Sequence, residues 1–156
     1  GLRGPQLQVN VGDLDEANAA LAGLEPLPAC ELATRLAPAG ALRLGLRIDH
    51  GADQQTTLEY DVLAGVLAID RRRSGSVDFS EHFAARHTAP VVLEGGILDL
   101  HVFIDGCTLE VLAQGGAVVL SDLIFPRSGR QAISLYADGG DPIVESLSLW
   151  PLEPDH

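Results

Sequence analysis

Methionine and lysine are absent from this 156-residue chain, and its ten basic residues are all arginines. Without a methionine, Gly1 is not a translation start, so the chain is expected to be a processed or excised piece. The lack of lysine, with heavy use of Ala, Gly, Leu and Arg, suggests a GC-rich, bacterial genome. Positive charge is scarce: 22 acidic residues leave a net charge of -12. Proteins that bind nucleic acid or anionic membranes need a basic face to displace counterions. The only basic run is Arg71-Arg72-Arg73, so neither partner is expected. No apolar run reaches the roughly 18 residues of a membrane span. No basic-then-apolar signal segment opens the chain, and the compartment, extracellular or cytoplasmic, stays open. Cys30 and Cys107 are the only thiols, and neither sits in a CxxC pair, so no zinc, redox site or cofactor is expected. Whether they pair cannot be read from sequence separation. Aromatic residues are few, 1 Trp, 2 Tyr and 4 Phe.

What is present is alternation. Leu98, Leu100, Val102 and Ile104 alternate with Asp99, His101, Phe103 and Asp105, the period-two pattern of a strand with one buried face. Asp105-Gly106 marks a turn, because Gly accepts positive φ and Asp bonds its own backbone. Leu109, Val111 and Ala113 predict a second strand, Gly115-Gly116 a second turn, and Ala117 to Phe125 a third strand ended by Pro126. Such a meander needs a second layer to cover its apolar face.

Upstream, Leu7, Val9 and Val11 alternate with Gln8 and Asn10, the pattern of a short strand. Asp13 and Glu16 have the form of a capping box, and Leu14, Ala17, Leu21 and Leu24 recur at helical spacing until Gly23, Pro26 and Pro28 intervene. The spacing predicts a helix over 14–23, a connector within a linker of residues 1–30. Residues 31–156 then read as one β-domain. Its strands are expected over 32–36, 42–48, 56–62 and 66–70, an irregular connection over 71–90, and strands over 98–104, 108–113, 117–125, 132–137 and 143–150. Many short strands with turn residues between them predict an all-β sandwich or barrel.

Motifs in this order carry a resemblance. They are Leu58-Glu59-Tyr60-Asp61, Ile69-Asp70-Arg71-Arg72-Arg73-Ser74-Gly75, Phe83, Ala89-Pro90, Leu98 to Asp105, and Leu109-Glu110-Val111. Leu123-Ile124-Phe125-Pro126, Leu135-Tyr136-Ala137-Asp138-Gly139-Gly140 and Ser146-Leu147-Ser148-Leu149-Trp150-Pro151-Leu152 complete the series. The series resembles the C-terminal β-sandwich of glycoside hydrolase family 32, the invertases, levanases, inulinases and related β-fructosidases, over roughly residues 31–152. The resemblance implies two antiparallel sheets of about six strands each, a jelly roll like the concanavalin-type lectins. It also implies an upstream five-bladed propeller. There Asn-Asp-Pro-Asn, Glu-Cys and Arg-Asp-Pro motifs supply an Asp nucleophile, a Glu acid/base and a stabilising Asp. None of these motifs is in this chain: Ala29-Cys30-Glu31 reverses the order, and Asp70-Arg71 lacks the Pro. Where the family has Asp-Arg-Ser-Ser-Val-Glu-Val-Phe, this chain has Asp105-Gly106-Cys107-Thr108-Leu109-Glu110-Val111-Leu112, so the family's Arg and Phe side chains are missing.

The candidate residues are few. Tyr60 and Tyr136 have polar tips suited to the rim of a sugar site. Arg71, Arg72 and Arg73 suit an anion or a domain contact. Phe103 and Trp150, on strands, and Phe125, ending one, read as core or interface packing. Ser74, Ser80, His82 and His87 are close in sequence, but no strand–nucleophile–helix elbow surrounds them. Their spacing matches no zinc signature either. No catalytic residue and no metal site is assigned. The expected role is a non-catalytic C-terminal module of a β-fructosidase acting on fructans or sucrose. Its expected partner is the propeller of the same chain, with homo-oligomer contacts left open. A fructan-binding module and a free-standing interaction domain remain the alternatives.

Overall fold

The computed structural model describes residues 7–24, 29–51, 54–73, 86–105, 108–123 and 131–152, and of residues 71–73 and 86 the backbone alone. Among the described residues eleven strands and one helix follow one another. They are β1 (Leu7–Val9), α1 (Leu14–Ala22), β2 (Cys30–Ala37), β3 (Arg43–Gly51), β4 (Gln54–Asp61) and β5 (Val66–Arg73). After them come β6 (Arg86–Pro90), β7 (Leu98–Asp105), β8 (Thr108–Ala113), β9 (Val118–Leu123), β10 (Ala132–Asp138) and β11 (Ile143–Pro151). They form a six-stranded sheet in the order β1-β11-β2-β7-β8-β9 and a five-stranded sheet in the order β10-β3-β4-β5-β6. Every pairing of named strands is antiparallel. The expected two-sheet sandwich is therefore the fold.

Alternation decides which side chains meet between the sheets. Leu32, Leu36, Leu98, Leu100, Val102, Ile104, Val111 and Leu149 point inward from the six-stranded sheet, each at most 1% exposed. Leu44, Leu46, Ile48, Leu58, Ile69 and Leu135 meet them from the other sheet. Each such side chain contributes about 1.5–3 kcal/mol when fully buried, taken as an upper value. The predicted meander is β7-β8-β9 in adjacent positions. Its second turn places Gln114, Gly115 and Gly116 at positive φ. Gln114 tolerates this because its side chain is held at both ends: Oε1 accepts from Asp99 N at 2.7 Å and Nε2 donates to Ile97 O at 3.0 Å.

One difference from the expected elements has a physical reason. The predicted connection 71–90 contains a strand, β6, whose Arg-His-Thr-Ala-Pro sequence has no apolar alternation to reveal it. It forms by pairing with the otherwise open side of β5, and as an edge strand it tolerates Pro90 at its end. The third meander strand is described from Val118 to Leu123, and Ile124, Phe125 and Pro126 lie outside the described residues.

Residues 7–24 lie against the sandwich. β1 extends the six-stranded sheet through Leu7↔Leu149 and Val9↔Leu147. Asp13 caps α1, its Oδ1 accepting from Glu16 N at 2.8 Å. Ala17 and Leu21, one turn apart, are buried. Asn18 then reaches β10, donating to Leu135 O at 2.8 Å and accepting from Leu135 N at 2.7 Å. Its side-chain amide stands in for a neighbouring strand and closes an exposed sheet edge. The opposite flank is joined differently. His87 Nδ1 on β6 meets Asp122 Oδ2 on β9 at 3.0 Å, bridging the two sheets.

Candidate binding surface on the six-stranded sheet

The register across β11, β2, β7, β8 and β9 places non-adjacent residues in rows on the outward face. One row is Trp150, Glu31, Phe103, Glu110 and Ser121. The next is Ser148, Ala33, His101, Leu112 and Val119. The His101 and Phe103 rings stack, with centroids 4.7 Å apart and planes 19° from parallel. The Trp150 ring lies 6.5 Å from His101, tilted by 33°. Strands β11 and β7 flank β2 and so stand about 9.5 Å apart at the usual spacing. The two rings therefore lean towards each other over β2, where Ala33 leaves room. His101 Nε2 contacts Glu31 Oε2 at 2.5 Å, which fixes both side chains. Val119 and Leu123 extend the apolar surface and are 53% and 47% exposed. Arg35 Nη1 pairs with Asp99 Oδ2 at 2.9 Å on the same face.

The outward face of the five-stranded sheet is built otherwise. Tyr136, Gly45 and Glu59 share one row. Tyr136 reaches across Gly45 and donates its hydroxyl to Glu59 Oε1 at 2.8 Å, while the Arg47 guanidinium sits 4.9 Å above its ring. Burial, the bond to Glu59 and nearby negative charge hold the phenol well above its usual range, only partly opposed by Arg47. Tyr136 is thus tied down, with Arg47 over one ring face.

Tyr60, the other residue expected on a sugar rim, is placed in the core at 3% exposure, where its hydroxyl donates to Val91 O at 2.8 Å. Its parity with Leu58 turns it inward. Burial raises its pKa, with a further push from Asp61. Arg71 to Arg73 end β5, with Arg73 opposite Gln55, and their side chains lie outside the described residues. So do Ser74, Ser80, His82 and Cys107. Cys30 carries a free, buried thiol whose pKa is raised to about 11 by burial. His50 is buried with Nε2 2.9 Å from Thr56 Oγ1, and burial lowers its pKa against the opposing charge of Asp49. Among the described residues no three of His, Cys, Asp and Glu converge to hold a metal ion.

Phe103 and Trp150, expected as core or interface packing, sit half-buried on the outward face. Sequence reasoning did not join them to Glu31 and His101, because the row draws on three strands far apart in the chain. The available signal was parity: Phe103 and His101 alternate with the core residues Leu100, Val102 and Ile104.

Comparison with known proteins places this geometry. A family model described as Glycosyl hydrolases family 32 C terminal matches residues 2–151. The levanase of Bacillus sp. (strain L7) is 36% identical over 124 residues, 79% of this chain and 14% of that protein. The levanase of Bacillus subtilis (strain 168) is 32% identical over 120 residues, 76% of this chain and 18% of that protein. The crystal structure of exo-inulinase from Aspergillus awamori superposes with a TM-score of 0.70 at 21% identity, over 92% of this chain and 27% of that one. This chain thus spans less than a fifth of the length of either levanase. With the family model covering nearly its whole length, the chain belongs to glycosyl hydrolase family 32, as a C-terminal domain.

Proposed function

We propose that this chain is the non-catalytic C-terminal module of a β-fructosidase acting on fructans or sucrose, and that it packs on and stabilises an N-terminal propeller carrying catalysis. The observation that carries this reading is the disproportion just described. The C-terminal family model fills this chain, yet the chain matches only 14% and 18% of two levanases. The rest of such proteins must hold the chemistry that no motif in this sequence supplies. In this reading residues 1–30 lead in from the propeller and join the sandwich at β1. Arg71, Arg72 and Arg73, at the end of β5, contribute to the domain contact.

Two experiments test it. A reducing-sugar assay of the pure chain on sucrose and levan is expected to show no turnover, and turnover would overturn the non-catalytic role. In the polypeptide that carries it, deleting residues 31–156 is expected to lower the temperature of half-inactivation by several degrees. An unchanged value would remove the stabilising role.

A further inference from the structure

We propose that the outward face of the six-stranded sheet binds a neutral oligosaccharide, which packs its C–H surface against the cluster of Trp150, His101 and Phe103 rings and donates hydroxyl hydrogen bonds to Glu31. That the sugar is a fructan rests on the function proposed above. That the face takes a sugar rests on its own geometry.

A two-layer sandwich buries one face of each sheet and leaves the other to water, so its outward positions are normally polar. Here three rings gather on one outward face: His101 and Phe103 stack on each other, and Trp150 tilts towards His101 across Ala33. A sugar ring matches such a surface: its C–H face is apolar, and its hydroxyls project around the edge. The edge groups are in place. Glu31 lies between Trp150 and Phe103 in the same row, with its carboxylate oriented by His101. Glu110 and Ser121 continue that row. All are acceptors for hydroxyl donors.

Charge selects among ligands. The surface is edged by carboxylates on a chain of net charge -12, which disfavours phosphorylated or acidic sugars. Charge also separates a sugar from a protein partner. The centre of a protein–protein interface is depleted of charged residues, whereas here a carboxylate sits between two of the rings. Tyr60 and Tyr136 cannot supply an equivalent platform, one being buried and the other tied to Glu59 beneath Arg47.

Trp150 is the chain's only tryptophan, so tryptophan emission, excited selectively over that of the two tyrosines, reports on this face. The 156-residue chain is titrated with levan-type and inulin-type fructo-oligosaccharides and, in parallel, with cello- and malto-oligosaccharides. A saturable change in Trp150 emission is expected with a fructan. Phe103→Ala and Glu31→Gln are each expected to weaken binding about tenfold, the scale of one ring stack or one charge-assisted hydrogen bond. Calorimetry reads the same loss in Trp150→Ala, and near-UV dichroism with a thermal melt verifies that each variant is folded. Emission unchanged by all four sugar classes overturns the proposal. So does binding that survives both Phe103→Ala and Glu31→Gln. Binding of gluco-oligosaccharides without fructans upholds the site and overturns the fructan assignment. Self-association lost in Trp150→Ala, with no sugar response, assigns the face to protein contact and overturns the proposal.

Discussion

The two sheets of this sandwich obey one rule inside and two rules outside. Inward, both present Leu, Ile and Val at alternate positions. Outward, the five-stranded sheet secures the aromatic ring of Tyr136, which is bonded to Glu59, covered by Arg47 and laid over a glycine. The six-stranded sheet instead groups Trp150, His101 and Phe103 beside exposed Val119 and Leu123. Burial explains the inward faces and electrostatic satisfaction explains the outward face of the five-stranded sheet. Electrostatics ties His101 to Glu31 there, but neither rule accounts for grouping Trp150 and Phe103 around that pair, which is why that face, and not the Tyr136 face, is the one assigned to a ligand.

The largest expected effect lies at Gly45, on which the five-stranded sheet's outward face depends. A Cβ there would stand 1.8 Å from Leu58 O, a backbone atom that cannot swing aside. Gly45→Val is expected to destabilise the fold by about 3 kcal/mol or more, read by urea denaturation. Ala33 has a comparable place under the rings of the other sheet, and Ala33→Ser is expected to cost under about 1 kcal/mol. Equal losses would mean that the aromatic surface is as tightly built as the Tyr136 one, and would erase the contrast.

Much of this was legible before the structure, and the parts that were not share a cause. The runs Leu44 to Ile48 and Leu98 to Ile104 announce β3 and β7 by parity alone. Asp13 with Glu16 announces the start of α1. The order of weak motifs announced the family, and through it the two-sheet fold. What stayed hidden depended on cross-strand register. β6 has no apolar signature because its partner is backbone. His87 and Asp122 meet only because the edges of two sheets come together. Tyr60 shares its parity with Thr56 and Leu58, and that parity, not its hydroxyl, decides its side of the sheet.

Alkaline pH sharpens the comparison, because burial keeps a thiol protonated on one sheet and the phenols of Tyr60 and Tyr136 on the other. Cys30, on β2, has a thiol raised from 9.0 to about 11. The unfolded chain loses this proton first. The stability it provides is therefore full below pH 9 and is lost as pH rises towards 11, at about 1.4 kcal/mol per pH unit and about 2–3 kcal/mol in all. Tyr136, on β10, is raised from 10.0, so its contribution falls only above pH 10. Urea melts at successive pH values are expected to lose the earlier decline in Cys30→Ala and part of the later one in Tyr136→Phe, with Tyr60 supplying the rest. A single decline shared by both variants would contradict assigning the thiol and the phenols to different sheets.

The sheets are joined on both flanks, and the joints differ in chemistry. Asp122→Ala removes a buried carboxylate, 3% exposed, from half-exposed His87, with an expected cost of about 2 kcal/mol. Asn18→Ala removes two neutral hydrogen bonds to β10 and is expected to cost about 1–2 kcal/mol. Hydrogen exchange separates them: Asn18→Ala should release amides of β10, and Asp122→Ala those of β6 and β9. Uniform release in both variants would show that the sandwich opens as one unit, leaving the sheets no separate character to compare.

The smallest expected effect concerns one exposed ion pair on each outward face. Arg35 Nη1 is 2.9 Å from Asp99 Oδ2 on the six-stranded sheet, and Arg43 Nη1 is 3.4 Å from Asp138 Oδ2 on the other. All four side chains are more than a third exposed. Solvent and side-chain entropy offset most of the Coulomb gain at such sites, so each double-mutant cycle is expected to give under about 1 kcal/mol. Both couplings should fade in 1 M salt, where charges are screened beyond about 3 Å. Each arginine has a second acidic partner 4.0 Å from its Nε, Asp61 for Arg43 and Glu145 for Arg35, so a coupling of about 2 kcal/mol for Arg43–Asp138 alone would show a cooperative network on that sheet only. The contrast between the sheets would then be one of rigidity as well as polarity. The same excess at Arg35–Asp99 would count against an open sugar-binding face, because a rigid charged pair beside the rings would resist the rearrangement a ligand's hydroxyls require.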